Sequence, residues 1–236
     1  MKISKILITV CIGLVSMLTG CGGSSGSSGG SGSAGGNAST IAASTLYKLT
    51  QNSSWSYNSS YVIKPGTSNV ITEPSTISIK IGATTSGNTN VTMTRISTLN
   101  GVPSTPSNYN YTMSMDANGN LLMSNTQNLN TLFVDGVVYQ AKFLPAILAV
   151  NTTWTVGGTT YKVTNLNGSV MTAAGNFTNC LVVTATGTDN YSGSTIDATY
   201  YFSATAANLV HVDLTGSSMG GVAFTITTDM TGYTLQ

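Results

Sequence analysis

Thr76-Ile77-Ser78-Ile79-Lys80-Ile81 and Val91-Thr92-Met93-Thr94-Arg95-Ile96 alternate polar and apolar residues without a break, and Ser86-Gly87-Asn88 lies between them. A period of two sends every second side chain to the same face, so each run reads as a half-buried β-strand and the pair as a hairpin. Working outward, Asp116-Ala117-Asn118-Gly119-Asn120 breaks Tyr109–Met115 from Leu121-Leu122-Met123. Asp135-Gly136, between Leu132-Phe133-Val134 and Val137-Val138-Tyr139, is a two-residue hairpin signal. Further strands read at 159–164, 177–186, 196–203, 208–214 and 222–228, and no stretch after residue 21 carries three turns of helical periodicity. The expected fold is all-β and antiparallel, as a single curved sheet, a β-sandwich or a half-barrel.

Of 236 residues only 8 are Lys or Arg and 7 Asp or Glu, so 6% carry charge, against roughly a quarter in ordinary soluble domains. Hydroxyls and amides must therefore solvate the surface, which suits an exported protein. A net charge of +1 supplies no basic field for phosphates, and no nucleic-acid partner is expected. One His, one Glu and three Cys leave little for hydrolytic or metal chemistry, and no cofactor or metal site is expected.

At the N-terminus Lys2 and Lys5 precede an apolar run from Ile6 to Leu18, and Leu18-Thr19-Gly20-Cys21 closes it. The run is shorter than the ~20 residues of a bilayer-spanning helix. This stretch resembles the bacterial lipoprotein signal and its lipobox. The resemblance implies cleavage before Cys21, diacylglycerol on its sulfur and an acyl chain such as palmitate on its amine. Two or more acyl chains give firm membrane attachment. Gly22 stands where the inner-membrane retention signal of such lipoproteins has Asp, which implies the outer membrane. Residues 1–20 then form the signal peptide, 21–40 the lipidated Cys and a Gly/Ser tether, and 41–236 the β domain. As a flexible coil, ~19 tether residues span about 25 Å. Cys11 leaves with the signal and Cys21 carries lipid, so Cys180 is alone and no intrachain disulfide forms. No cation lies near Cys180 in sequence, and it reads as a small buried hydrophobe.

Asn52-Ser53-Ser54-Trp55-Ser56 recurs as Asn151-Thr152-Thr153-Trp154-Thr155, with Tyr61 and Tyr161 following. An internal repeat near 52–63 and 151–163 would have each Trp begin a strand and bury its ring in the core.

Phe143-Leu144-Pro145 leading to Thr153-Trp154, then Val170 to Val183 with Ala174-Gly175-Asn176 as a tight turn, then Tyr200-Tyr201-Phe202 before Leu209-Val210, is similar to a loosely defined group of β-rich bacterial envelope lipoproteins. The chain departs from that group at Asn151, Ala173 and Asn208, where Gly, Pro and Gly are usual; Asn tolerates the same positive φ as Gly. The resemblance covers 143–215 and implies an antiparallel sheet that can curl around an apolar interior, with no catalytic residues. In its own right, Phe177 to Val183 is apolar on both faces, as a central covered strand would be.

Three constellations carry possible chemistry. Gly216-Ser217-Ser218-Met219-Gly220 matches Gly-x-Ser-x-Gly and looks like the nucleophile elbow of α/β-hydrolases, with Ser218 as nucleophile. The β-branched segment that follows it is no helix, and the single histidine, His211, precedes Ser218 rather than following it. His211 and Asp213 lie two apart on one strand face, where a His-carboxylate pair and a plain polar face beside inward Val210, Val212 and Leu214 are the alternatives. Asp116 to Asn120 has one carboxylate where calcium wants several, so it reads as a turn. The expectation is a lipid-anchored outer-membrane protein with a non-catalytic binding or structural role. The alternatives are a carrier of an acyl or other apolar ligand lined by Phe177, Leu181, Val183, Leu209 and Ile226, an esterase using Ser218, or a glycan binder using exposed Tyr and Trp.

Overall fold

The computed structural model describes residues 40–64, 70–124, 131–132, 134–135, 141–156, 158–188 and 193–236. Its main strands are β1 (Ser54–Lys64), β2 (Ile71–Thr85), β3 (Asn88–Leu99), β4 (Ser107–Met115), β5 (Leu121–Ser124), β6 (Ala141–Leu144), β7 (Thr153–Val156), β8 (Thr159–Thr172), β9 (Gly175–Thr188), β10 (Thr195–Ser203), β11 (Asn208–Ser217) and β12 (Ala223–Thr234). They join in the order β6-β5-β4-β3-β2-β1-β12-β11-β10-β9-β8-β7, each antiparallel to its neighbours. The chain thus makes two meanders, β1 to β6 and β7 to β12, joined where β1 pairs with β12. The fold is all-β and antiparallel as expected, with one four-residue helix, Ala43–Leu46, among the described residues.

Alternation explains the curl. Trp55 and Tyr57 of β1, Ile77, Ile79 and Ile81 of β2, Met93 of β3, Tyr111 of β4, Val183 of β9, Val212 of β11 and Ile226 of β12 enter one continuous buried cluster. A sheet with a single apolar face removes it from water by folding that face on itself. Trp55 is 1% exposed, and its indole N–H donates to the Ala206 carbonyl at 2.7 Å. The Tyr57 hydroxyl donates to the Leu209 carbonyl at 3.0 Å, so β1 is tied across the core to the β10–β11 connection.

Ser86 and Gly87 take positive φ of 51° and 79°, as primed two-residue hairpin turns require. The β8–β9 hairpin breaks register at Val163/Asn165, Asn165/Gly168 and Gly168/Val170, and Asn179 adopts φ 54°. A Cβ on Gly168 would run into Val182 Cγ2, so this bend needs glycine. Its far end turns toward β12, where the Ala174 N–H donates to the Met230 carbonyl at 3.0 Å. Cys180 to Val183 are consequently all buried.

Several local expectations shift. The turn of this hairpin is Ala173-Ala174, with Thr172 paired to Gly175, because Gly175 and Asn176 are already in the ladder. Thr131–Leu132 pairs with Val134–Asp135, so Asp135 sits in a ladder rather than in a turn; Phe133 and Gly136 to Tyr139 lie outside the described residues. Asn151 has φ 73° as the resemblance implies, but at the other site Ala207, at 47°, takes the positive φ instead of Asn208. Asn208 starts β11, and its Oδ1 accepts from the Leu209 N–H at 2.7 Å.

Both Trp-containing segments form the same local structure. Asn52, at φ 69°, donates its N–H to the Ile81 carbonyl at 2.9 Å, and Ile81 returns one to Ser53 at 2.9 Å. Asn151 donates to Val163 at 2.8 Å, and Val163 returns one to Thr152 at 2.9 Å. Trp55 and Trp154 are each the second residue of a strand. The tyrosines do not correspond: Tyr61 lies on β1, whereas Tyr161 lies on β8 opposite Trp154. Trp154 is only half-buried, because its strand is at the sheet edge; it stacks on Tyr161 at 5.3 Å.

Burial first, and the neighbouring Tyr47 and Tyr111 second, hold the Tyr57 phenol well above the usual value of 10; burial first does the same at Tyr47, Tyr111 and Tyr200. Above pH 10 an unfolded chain releases phenolic protons that the folded chain retains, so stability holds below that pH and falls above it. Alkaline titration by ultraviolet absorbance should show these phenols ionising only as the protein unfolds. Trp55→Ala should lower the unfolding free energy by about 3–5 kcal/mol in urea denaturation, and Trp154→Ala by clearly less.

Candidate functional site

The outer face carries a row of directly paired residues, Tyr201, His211, Asp229, Asn58 and Thr76, on β10, β11, β12, β1 and β2. At its centre His211 is held by two carboxylates, with Nδ1 2.7 Å from Asp229 Oδ1 and Nε2 2.8 Å from Asp213 Oδ2. The Thr227 hydroxyl donates to Asp213 Oδ1 at 3.2 Å, and the Tyr201 ring meets the imidazole edge-on at 5.5 Å. The His211 side chain is 11% exposed. Each ring nitrogen thus has a carboxylate oxygen within hydrogen-bond distance, and the cluster holds the two carboxylates in place on either side of the ring.

Sequence reasoning found Asp213 and missed Asp229. The two lie either side of His211: Asp213 two residues on along β11, Asp229 directly across on β12. Only the β11–β12 register reveals Asp229, and a hairpin turn of unknown length conceals that register in sequence. Beside Asp229 the outer face forms a trough of about 350 Å³ bounded by Asn58, Ser60, Pro74, Thr76, Thr98 and Thr227.

The remaining candidates are scattered. Ser218 lies in the β11–β12 turn, where its N–H donates to the Val222 carbonyl at 2.9 Å and its Oγ accepts from the Val222 N–H at 3.3 Å. The elbow geometry is absent, since β12 and not a helix follows. Ser218 lies seven positions beyond His211, roughly 23 Å at the rise of a β-strand. Gly216 serves packing instead: a Cβ there would meet the Phe224 ring and the Thr195 carbonyl. Asp116 Oδ1 accepts from the Asn118 and Asn120 N–H groups at 2.9 and 2.8 Å, so its carboxylate is committed to its own turn. Cys180 is a buried free thiol, and burial pushes it up to about 11. Among the described residues no three His, Cys, Asp or Glu side chains gather as a metal-holding group, and no helix is long and apolar enough to cross a membrane. Cys21 and residues 1–39 lie outside the described residues.

No protein-family model matches the sequence, nor does any curated protein. Among crystal structures, the chain is similar to one from Bacteroides fragilis described as an exported protein with a YmcC-like fold, at 10% identity over 80% of this chain and 98% of that one, TM-score 0.43. A protein from Parabacteroides distasonis described as a lipoprotein matches at 12% identity over 80% and 98%, TM-score 0.35. A LolA superfamily protein from Nitrosomonas europaea matches at 10% identity over 83% and 96%, TM-score 0.27. Overlaps this weak do not establish a shared topology.

Ser218→Ala should leave the rate of short-chain ester hydrolysis in a chromogenic assay unchanged, at the level of uncatalysed hydrolysis. Cys180 should resist alkylation at neutral pH in the folded protein and react on addition of denaturant, as read by mass spectrometry.

Proposed function

We propose that the chain is a lipoprotein of the outer membrane, held by acyl chains on Cys21, whose β domain binds or scaffolds rather than catalyses. The observation that carries the anchor is Leu18-Thr19-Gly20-Cys21 at the end of a short apolar run, followed by the Gly/Ser-rich stretch. The layout that goes with it is a signal peptide at 1–20, a tether at 21–40 and the β domain from 41. The matching turns at Asn52 and Asn151, each leading into a Trp-bearing strand that pairs with the next strand, support reading the two meanders as repeats of one unit.

The non-catalytic role is supported by the dispersal of the reactive groups. Ser218, Cys180 and His211 do not meet, and His211 is occupied by carboxylates at both nitrogens. The carrier alternative needs an open interior. Its proposed lining, Phe177, Leu181, Val183, Leu209 and Ile226, is instead buried within a single packed cluster. A side chain lining a cavity large enough for a ligand would keep accessible surface.

Metabolic labelling with a fatty acid should mark the protein, and Cys21→Ala should abolish the label and release the protein from membranes. A Cys21→Ala protein that stays labelled overturns the anchor. Sorting is checked by density-gradient fractionation, where the mature protein should travel with the outer membrane because Gly22 follows the cysteine; recovery in the inner-membrane fraction contradicts that placement.

A further inference from the structure

We propose that the trough on the outer face beside Asp229 is a binding site for a neutral saccharide. This gives a ligand class to the binding role suggested above, and it does not depend on the lipid anchor.

The trough lies mid-sheet, across β12, β1, β2 and β3. There the main-chain N–H and C=O groups are consumed by the ladders on both sides, from Asp229↔Asn58 through Asn58↔Thr76 to Thr76↔Ile96. A peptide adding itself as a strand finds nothing to pair with, because that mode needs a free sheet edge. Only side chains can read a ligand, and those present are an amide, several hydroxyls and one carboxylate.

Some such groups elsewhere on this face satisfy one another. Thr92 bonds Asn110 at 2.9 Å, Thr94 bonds Asn108 at 2.7 Å, and Thr195 bonds Ser217 at 2.8 Å. Around the trough they do not: among the described residues the side chains of Asn58, Ser60, Thr76 and Thr98 make no hydrogen bond. Donors and acceptors left open together, beside a carboxylate held at 2.7 Å by His211, form a preorganised array. A ligand bound there does not have to order Asp229, which lowers the cost of binding.

Charge and shape narrow the ligand. No Lys or Arg lines the trough, and Asp229 with Asp213 nearby outweighs the single His211, so phosphate and other anions are disfavoured. The volume of about 350 Å³ falls at the small end of the ~300–1,000 Å³ typical of ligand sites. Pro74 and the threonine methyls offer apolar contact for ring C–H groups, while vicinal hydroxyls can donate to Asp229 and share the Asn58 amide. Neutral polyhydroxylated rings satisfy both demands at once.

The test is calorimetric titration of the full-length protein, in a zwitterionic detergent free of sugar, with three neutral hexasaccharides: an α-1,4-glucan, a β-1,4-glucan and a β-1,4-linked N-acetylglucosamine oligomer. At least one should bind, and Asn58→Ala and Thr76→Lys should each weaken it tenfold or more while Thr112→Ala, on β4 of the same face, leaves it unchanged. Asn58 and Thr76 are exposed, so those variants fold; Asp229→Asn should weaken binding comparably. Failure of all three sugars to bind at millimolar concentration overturns the proposal, as does binding that survives both Asn58→Ala and Thr76→Lys. Neither result bears on the anchor, which the fatty-acid label decides separately.

Discussion

The ladder between β1 and β12 is the contact on which the molecule depends. It runs from Ala223↔Lys64 to Thr234↔Ser54 and joins two meanders that pair nowhere else among the described strands. Its far end is closed by the Gln236 N–H donating to Ser53 Oγ at 3.3 Å, across 183 positions of sequence. With Cys180 a free thiol, no disulfide holds the halves of the described domain together. Loop closure over such a separation must be compensated before the shared core rewards it. The large side chains of β1 supply that compensation: Trp55 and Tyr57 each bury a ring and place a polar atom on a carbonyl near the β10–β11 turn.

That one ladder also creates the outer-face chemistry. Asp229 and Thr227 arrive on β12, Asn58 and Ser60 on β1, Pro74 and Thr76 on β2, and they become neighbours only because β12 lies beside β1. The inner face is spent on the core. In a chain with so few charges, the described outer face consists mainly of hydroxyls and amides, some of them paired across strands, and it carries the His211 cluster of ionisable side chains. Core stability and surface recognition therefore belong to opposite faces of the same strands.

Much of the fold was legible because alternation is local. Thr76 to Ile81 and Val91 to Ile96 show their inward and outward residues directly, and Ser86-Gly87 reveals the hairpin between them. Non-local facts left no such trace. Nothing in the residues of β1 says that its second partner is β12, and the bend at Gly168 and Asn179 depends on where Val182 and Tyr201 come to lie. Trp154 repeats the sequence context of Trp55 yet is half-buried, because it falls on the edge strand β7. For the site, one neighbour along the strand, Asp213, could be read; Asp229 and the trough require the pairing of four strands.

The central claim is that the curled sheet is filled by its own side chains, so that any ligand is met on the outside. Native mass spectrometry of the full-length protein extracted from its membrane tests this most directly. The predicted result is a mass equal to the processed chain plus covalently attached acyl groups alone. A non-covalent lipid retained at one per protein through delipidating washes would contradict it, since such a ligand needs open space among the inward side chains that are buried together in one cluster among the described residues.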